Sequence, residues 1–335
     1  MSELLPLAVD NLLSPIILFF VLGFGAALLR SDLSVPEAFA KAMALYLMLA
    51  IGFKGGVELS KQGLDWTIAL ILLAGAALSF VIPLIAYTLL RLFTRLGQAD
   101  AAAVSAHYGS ISVVTFVAGT EFLTLMGVGF EGYMVAVMAI METPAIVTGI
   151  WLARRELNGG PGPAARARRR ALVDRDLMRE IFLNGSVVVL IGAFVIGWIT
   201  GPRGFDAIAP FIDAPFKGVL CLFLLDMGLV AAARLRGAKE LTVNLVLFGL
   251  AMPVIGASLG LAAGWALGLG QGEMALLGLL SGSASYIAVP ASMRLAVPEA
   301  SPGIYLTLSL AITFPFNLTI GIPLYFSVAT ALSSP

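Results

Sequence analysis

Gly109-Ser110-Ile111-Ser112 and Gly282-Ser283-Ala284-Ser285 stand 173 residues apart, each in the interior of an apolar stretch. The match around them needs no gap: Gln98-Ala99-Asp100 precedes the first copy as Gln271-Gly272-Glu273 precedes the second. Such a run is a poor helix interior. Glycine costs about 1 kcal/mol against alanine there, and serine offers the backbone competing hydrogen bonds. The two segments read as matched breaks in two helices, and the next question is what solvent those helices cross.

Composition answers it. Of 335 residues, 59% are hydrophobic and 12% charged, with a mean hydropathy of +0.99, which lies outside the soluble globular range. Apolar stretches close to the ~20 residues that span ~30 Å of hydrocarbon fall at roughly 14–30, 36–60, 64–92, 98–126, 129–153, 180–201, 210–235, 240–268, 272–297 and 301–332. The prediction is an all-α polytopic membrane protein of ten transmembrane helices, broken in the fourth and ninth. Met1 to Leu13 carries Glu3 and Asp10 but no Lys or Arg, unlike the start of a signal peptide, so the first span is expected to be retained. The one cysteine, Cys221, lies in an apolar run and has no disulfide partner within the chain.

Net charge is zero, so its placement carries the information. Between the fifth and sixth spans, Gly159-Gly160-Pro161-Gly162-Pro163 leads into Arg166, Arg168, Arg169 and Arg170. This divides the chain into a first five-helix repeat (1–155), a basic linker (156–179) and a second five-helix repeat (180–335). Beside membrane helices, such a run reads as a cytoplasmic loop under the positive-inside rule and not as a nucleic-acid patch. Alternation from that loop puts 15 Lys and Arg on the cytoplasmic side and three, Lys61, Arg203 and Lys217, on the other. Both termini are then expected on the non-cytoplasmic side of the inner (plasma) membrane. Five is odd, so the second half enters inverted, and the two breaks are expected to cross at similar depth about a pseudo-two-fold axis.

A mid-membrane break exposes N–H groups, tolerated only where they line a cavity or are buried in protein. The half-helix that begins there adds about half a positive charge from its dipole. Gly109, Ser110, Ile111 and Ser112 with Gly282, Ser283, Ala284 and Ser285 therefore make a candidate site for a small anion, held by amides and hydroxyls without fixed cations. By contrast, Gly256, Gly260, Gly264 and Gly268 recur every four residues and read as a packing stripe. The G-x-S-x-G match within that stripe follows no strand and is no hydrolase elbow.

Ionisable groups at membrane depth are candidates for function: Lys54, Glu58, Glu121, Glu142 and Asp226. Lys54 and Asp226 occupy corresponding places in the second and seventh spans and are expected to pair, for structure or for coupling. Glu142-Thr143-Pro144 and Thr313-Phe314-Pro315-Phe316-Asn317 interrupt the fifth and tenth spans. Proline frees a backbone carbonyl, and carbonyls with a carboxylate suit a small hard cation, so Glu142 and Asn317 join the cation candidates. A plain proline kink is the alternative. His107 reads as a hydrogen-bonded structural residue or as a proton shuttle.

With these motifs in place, the chain resembles the SbtA-type sodium-dependent bicarbonate transporter family over nearly its full length. The resemblance is carried by Gly52-Phe53-Lys54-Gly55-Gly56, by Gly109-Ser110-Ile111-Ser112 with Thr115, by Met141-Glu142-Thr143-Pro144-Ala145-Ile146-Val147-Thr148, and by Ser283-Ala284-Ser285-Tyr286-Ile287-Ala288-Val289-Pro290 running on through Arg294, Pro298 and Pro302. It implies a core domain moving against a gate domain, a trimer, bicarbonate between the crossing half-helices, Na+ as coupling ion with Thr115 among its ligands, no other cofactor, and a PII-like regulatory partner on the cytoplasmic face. This chain departs from the family at Tyr286, where an Asp is expected, and at Lys54, where a Thr is expected. Lys54 would then supply the charge that sodium supplies elsewhere. The alternatives are a sodium-independent anion carrier and an organic-anion/sodium symporter of the bile-acid type. An enzyme is disfavoured, since the chain has one histidine, no H-E-x-x-H and no cysteine cluster. A channel would need a continuous polar face, whereas polarity here is confined to the breaks.

Overall fold

The computed structural model describes residues 9, 11–62, 65–155, 185–238 and 240–333, and the basic linker 156–179 lies outside them. Every regular element among these residues is helical. The helices are α1 (Pro15–Leu28), α2 (Glu37–Gln62), α3 (Trp66–Phe93), α4 (Gln98–Gly109), α5 (Val113–Leu125), α6 (Tyr133–Arg155, with a turn at Met141), α7 (Gly185–Ile212), α8 (Phe216–Gly237), α9 (Val243–Ala266), α10 (Gln271–Ser281), α11 (Val289–Ala296) and α12 (Pro302–Ser333). Eight helical segments are long and apolar enough to cross a membrane, α4 and α5 counting as one; α1 is apolar but shorter. The chain is a multi-pass membrane protein.

Local chemistry sets the helix starts. Asp65 accepts from the Ile68 N–H, Thr242 from that of Leu245, and Ser14 from that of Ile17 ahead of Pro15 at N1. The expected sixth span, 180–201, corresponds to an element that runs to Ile212. Gly201 is non-helical (φ 58°, ψ −153°), so one helix ends there, as expected, and a second that begins at Pro202 follows across a kink.

Two helix groups emerge. In one, α2 lies along α7 and α1 along α8. The backbones nearly touch: a Cβ on Gly56 would overlap the Phe194 carbonyl oxygen, one on Gly197 that of Phe53, and one on Gly228 that of Phe20. The other group, α3–α6 with α9–α12, surrounds α4 and α5, whose apolar window is wholly buried. Within it Gly256 and Gly260 pack on the Ser281 and Leu277 carbonyls of α10, and Gly264 packs on Met274. Gly268 is the exception to the packing stripe. It lies past the end of α9 with φ 68°, and the Leu269 N–H returns to the Gly264 carbonyl in a helix cap. Ser258, the central serine of the discarded elbow, lies inside α9 with its hydroxyl on the Val254 carbonyl.

Matched positions also make matched contacts. The Asp100 carboxylate, at the start of α4, accepts from the Ser301 N–H (2.7 Å) before α12. The Glu273 carboxylate, at the start of α10, accepts from the Glu131 N–H (2.9 Å) before α6. Gln98 donates to the Leu152 carbonyl near the end of α6 (3.0 Å), and Gln271 to Thr330 Oγ1 near the end of α12 (2.6 Å).

Two outcomes test this packing. Gly56→Ala should lower the melting temperature of the detergent-purified protein sharply, since overpacking costs about 1–3 kcal/mol and here meets backbone; Gly25→Ala, facing open space, should not. Burial, with Glu273 and Glu58 nearby, raises the Glu131 carboxyl above its ordinary range. Its ionisation therefore weakens the fold as pH rises past that range. Glu131→Gln should melt higher than the native chain at pH 7, and the difference should vanish in acid.

Candidate functional site

Both predicted breaks are present. α4 ends at Gly109 and α5 starts at Val113; α10 ends at Ser281 and α11 starts at Val289. Gly109 lies against the Pro83 ring of α3 and Ala145 of α6, while Gly282 lies against the Pro253 carbonyl and Ala257 of α9. At neither place is there room for a Cβ.

The breaks lie together and bond to each other. The Ser112 N–H donates to Ser283 Oγ (3.0 Å), and the Ser285 N–H donates to the His107 carbonyl (2.8 Å). Ser283 Oγ in turn donates to the Leu280 carbonyl, and Ser112 Oγ caps α5 by accepting from the Thr115 N–H. The Ser110 hydroxyl is buried without a partner. The four serines thus divide: Ser283 ties the crossing together, while Ser112 and Ser285 border the space beside it.

That space is an enclosed cavity of about 10 Å³, bordered by Ile111, Ser112, Ser285, Tyr286, Glu142 and Met48. It is the size of one water. Five of these six are residues singled out from sequence. Glu142 is buried and joins no ion pair among the described residues. Its turn is held by Ser79 of α3, whose hydroxyl donates to the Met141 carbonyl and accepts from the Ala145 N–H. Tyr286 packs edge-on to Phe314 at 5.2 Å, and its hydroxyl approaches Ser112 without making a hydrogen bond of normal geometry.

The chain belongs to the Na+-dependent bicarbonate transporter superfamily. The family model matches residues 15–330, nearly the whole length. No curated protein matches the chain. Membership makes it a membrane transporter and not an enzyme.

For a member of this superfamily, the other cation candidates fall away from the cavity. Asn317 is buried with both ends engaged, Nδ2 on the Gly282 carbonyl (2.9 Å) and Oδ1 accepting from the Tyr325 hydroxyl (3.0 Å), and so braces the second break. Its neighbour Thr313 bridges the Tyr108 hydroxyl and the Gly249 carbonyl. Both lie in the π-type stretches Thr307–Thr313 and Asn317–Gly321 that interrupt α12. Thr115 is buried outside the cavity's lining. Lys54 does not pair with Asp226; it pairs with Asp213 in the turn between α7 and α8 and sits over the Phe216 ring. Lys54 and Asp226 lie on helices packed chiefly on other partners, α2 on α7 and α8 on α1, and Lys54 is taken by Asp213. Asp226 is buried on α8 without an ion pair among the described residues. His107 stacks on Tyr305 (4.4 Å) with Nδ1 on the Ala103 carbonyl.

Lys54 instead lines an open cavity of about 670 Å³ with Ile51, Glu58, Thr120, Glu121 and Phe205. A second open cavity, of about 360 Å³, lies at the other end of α8, beside Arg234, Leu241, Ser301 and Thr307. Sequence reading missed both cavities, the Glu121–Lys217 ion pair (3.1 Å) and Met48; the last sits in a plain apolar run with nothing to mark it.

The crossing geometry has a direct test. Ser283→Ala removes the acceptor of the Ser112 N–H and should cost about 1–3 kcal/mol, read as a fall in melting temperature. Ser110→Ala removes an unpartnered hydroxyl and should leave stability unchanged or raised.

Proposed function

We propose that the chain carries bicarbonate into the cell together with sodium, by alternating access across ten spans arranged as two inverted five-helix repeats. The carrying observation is the small buried cavity beside the two breaks, which Ser112, Ser285 and Glu142 line together. The start of α5 points its positive dipole end at the same place, which suits an anion without binding it as tightly as a fixed cation would.

Glu142 explains why a cation is needed. A bicarbonate about 4 Å from a bare carboxylate would be repelled by about 4 kcal/mol at an effective dielectric of 20, roughly a thousandfold in affinity. A sodium ion on Glu142 removes that repulsion, so the two ions enter together or not at all. Lys54, neutralised by Asp213 in the open cavity, is poorly placed to substitute for it. The small cavity also favours bicarbonate over a larger organic anion of the bile-acid kind.

Alternating access is supported by the two open cavities at opposite ends of α8 and by the division into two helix groups. The paired carboxylate contacts, Asp100 to Ser301 and Glu273 to Glu131, support the inverted repeat. Loop charge supports a placement of both termini outside. A trimer and a PII-like cytoplasmic partner remain part of the proposal through the family.

Reconstituted in liposomes, the native chain should take up labelled bicarbonate faster with an inward sodium gradient than in choline. Glu142→Gln should abolish the sodium stimulation, and Ser112→Ala with Ser285→Ala should cut uptake at least tenfold. A Glu142→Gln protein with native sodium dependence would overturn the assignment.

A further inference from the structure

We infer that Met48 sets the size of the anion the crossing cavity accepts. The inference rests on reading that cavity as the anion site. Seven of the nine residues around the cavity come from the two breaks and the helix starts beside them: Ile111, Ser112 and Val113 from the first, and residues 285–288 from the second. The eighth is Glu142 of α6, in the same helix group. Met48 is the ninth, and it is the one contributed by the group of α1, α2, α7 and α8. It is 2% exposed.

These walls differ in what they can yield. The breaks are pinned by the bonds from Ser112 to Ser283 and from Ser285 to His107, and the Glu142 turn is pinned by Ser79. The backbone of these walls cannot retreat without breaking buried hydrogen bonds. Met48 makes no such bond, and its unbranched side chain has three rotatable bonds and adapts its shape. A cavity of about 10 Å³ holds one water, so an anion of four heavy atoms enters only if a wall gives way. Met48 is the wall from the other helix group, and its side chain can give way. Its neighbour one turn on, Ile51, already lines the large open cavity, so the layer between open cavity and closed site is one helical turn thick. The volume of residue 48 therefore limits which anion fits. The corresponding residue of the second half, Leu220, is buried away from the cavity, so the limit belongs to Met48 alone.

Liposome uptake of labelled bicarbonate, with unlabelled formate, acetate and propionate as competitors, tests this. The native chain should be inhibited by formate and acetate, which have no more heavy atoms than bicarbonate, and little by propionate. Met48→Ala should become at least tenfold more sensitive to propionate relative to formate, whatever its rate of bicarbonate uptake, while Met48→Leu, of similar volume, should keep the native order. In parallel, the shift in melting temperature of detergent-purified protein with each anion and sodium reports binding without transport, and should show the same change of order. If Met48→Ala does not assemble, Met48→Val is read by the same two measurements. A folded variant of reduced volume that keeps the native size order overturns the inference. A native chain that responds to none of the anions, in either measurement, overturns the reading of the cavity and the inference with it.

Discussion

A helix broken inside a membrane releases N–H and C=O groups into a medium that cannot solvate them, at several kcal/mol for each group left unpaired. In this protein the broken helices answer to each other: the Ser112 N–H is satisfied by a side chain of the second break, and the Ser285 N–H by a carbonyl of the helix leading into the first. Neither break is stable without the other half of the chain. The surrounding structure serves that crossing. Pro83 and Pro253 shape α3 and α9 where Gly109 and Gly282 lie against them, Asn317 holds the freed Gly282 carbonyl, and Asp100 and Glu273 tether the far ends of the half-helices to loops of the opposite half.

What sequence made legible follows from how local each cause is. A Gly-Ser run disfavours helix wherever it lies, so both breaks were readable, as were the interruption at Glu142 and the ungapped alignment that includes Asp100 and Glu273. Partner choice is not local. Lys54 and Asp226 sit at corresponding positions, yet α2 faces α7, and Lys54 meets Asp213. Ser283 and Ser112 carry the same chemistry, and only their tertiary partners decide that one ties the breaks together while the other borders the cavity. Gly268 shares the four-residue spacing of the α9 stripe, but the helix ends two residues before it. Met48 lies among Tyr46, Leu47 and Leu49 and was invisible for the same reason: its role comes from which cavity it faces.

The cavity's charge balance follows from the same constraint. Walls made of hydrogen-bonded backbone cannot move to follow an ion, so affinity must be controlled by something that comes and goes. Serine hydroxyls and a helix dipole, on the proposed reading, attract an anion weakly, and an ionised Glu142 opposes it more strongly, by about 4 kcal/mol at close range. On the proposed reading, a cation on Glu142 reverses that sign and the anion enters; when the cation leaves, the repulsion returns and expels it. Release is then as favourable as capture, which a fixed arginine at the same place would prevent. A buried carboxylate without an ion pair costs stability in the absence of any ion, and on this reading that cost would make binding of the two ions a single event.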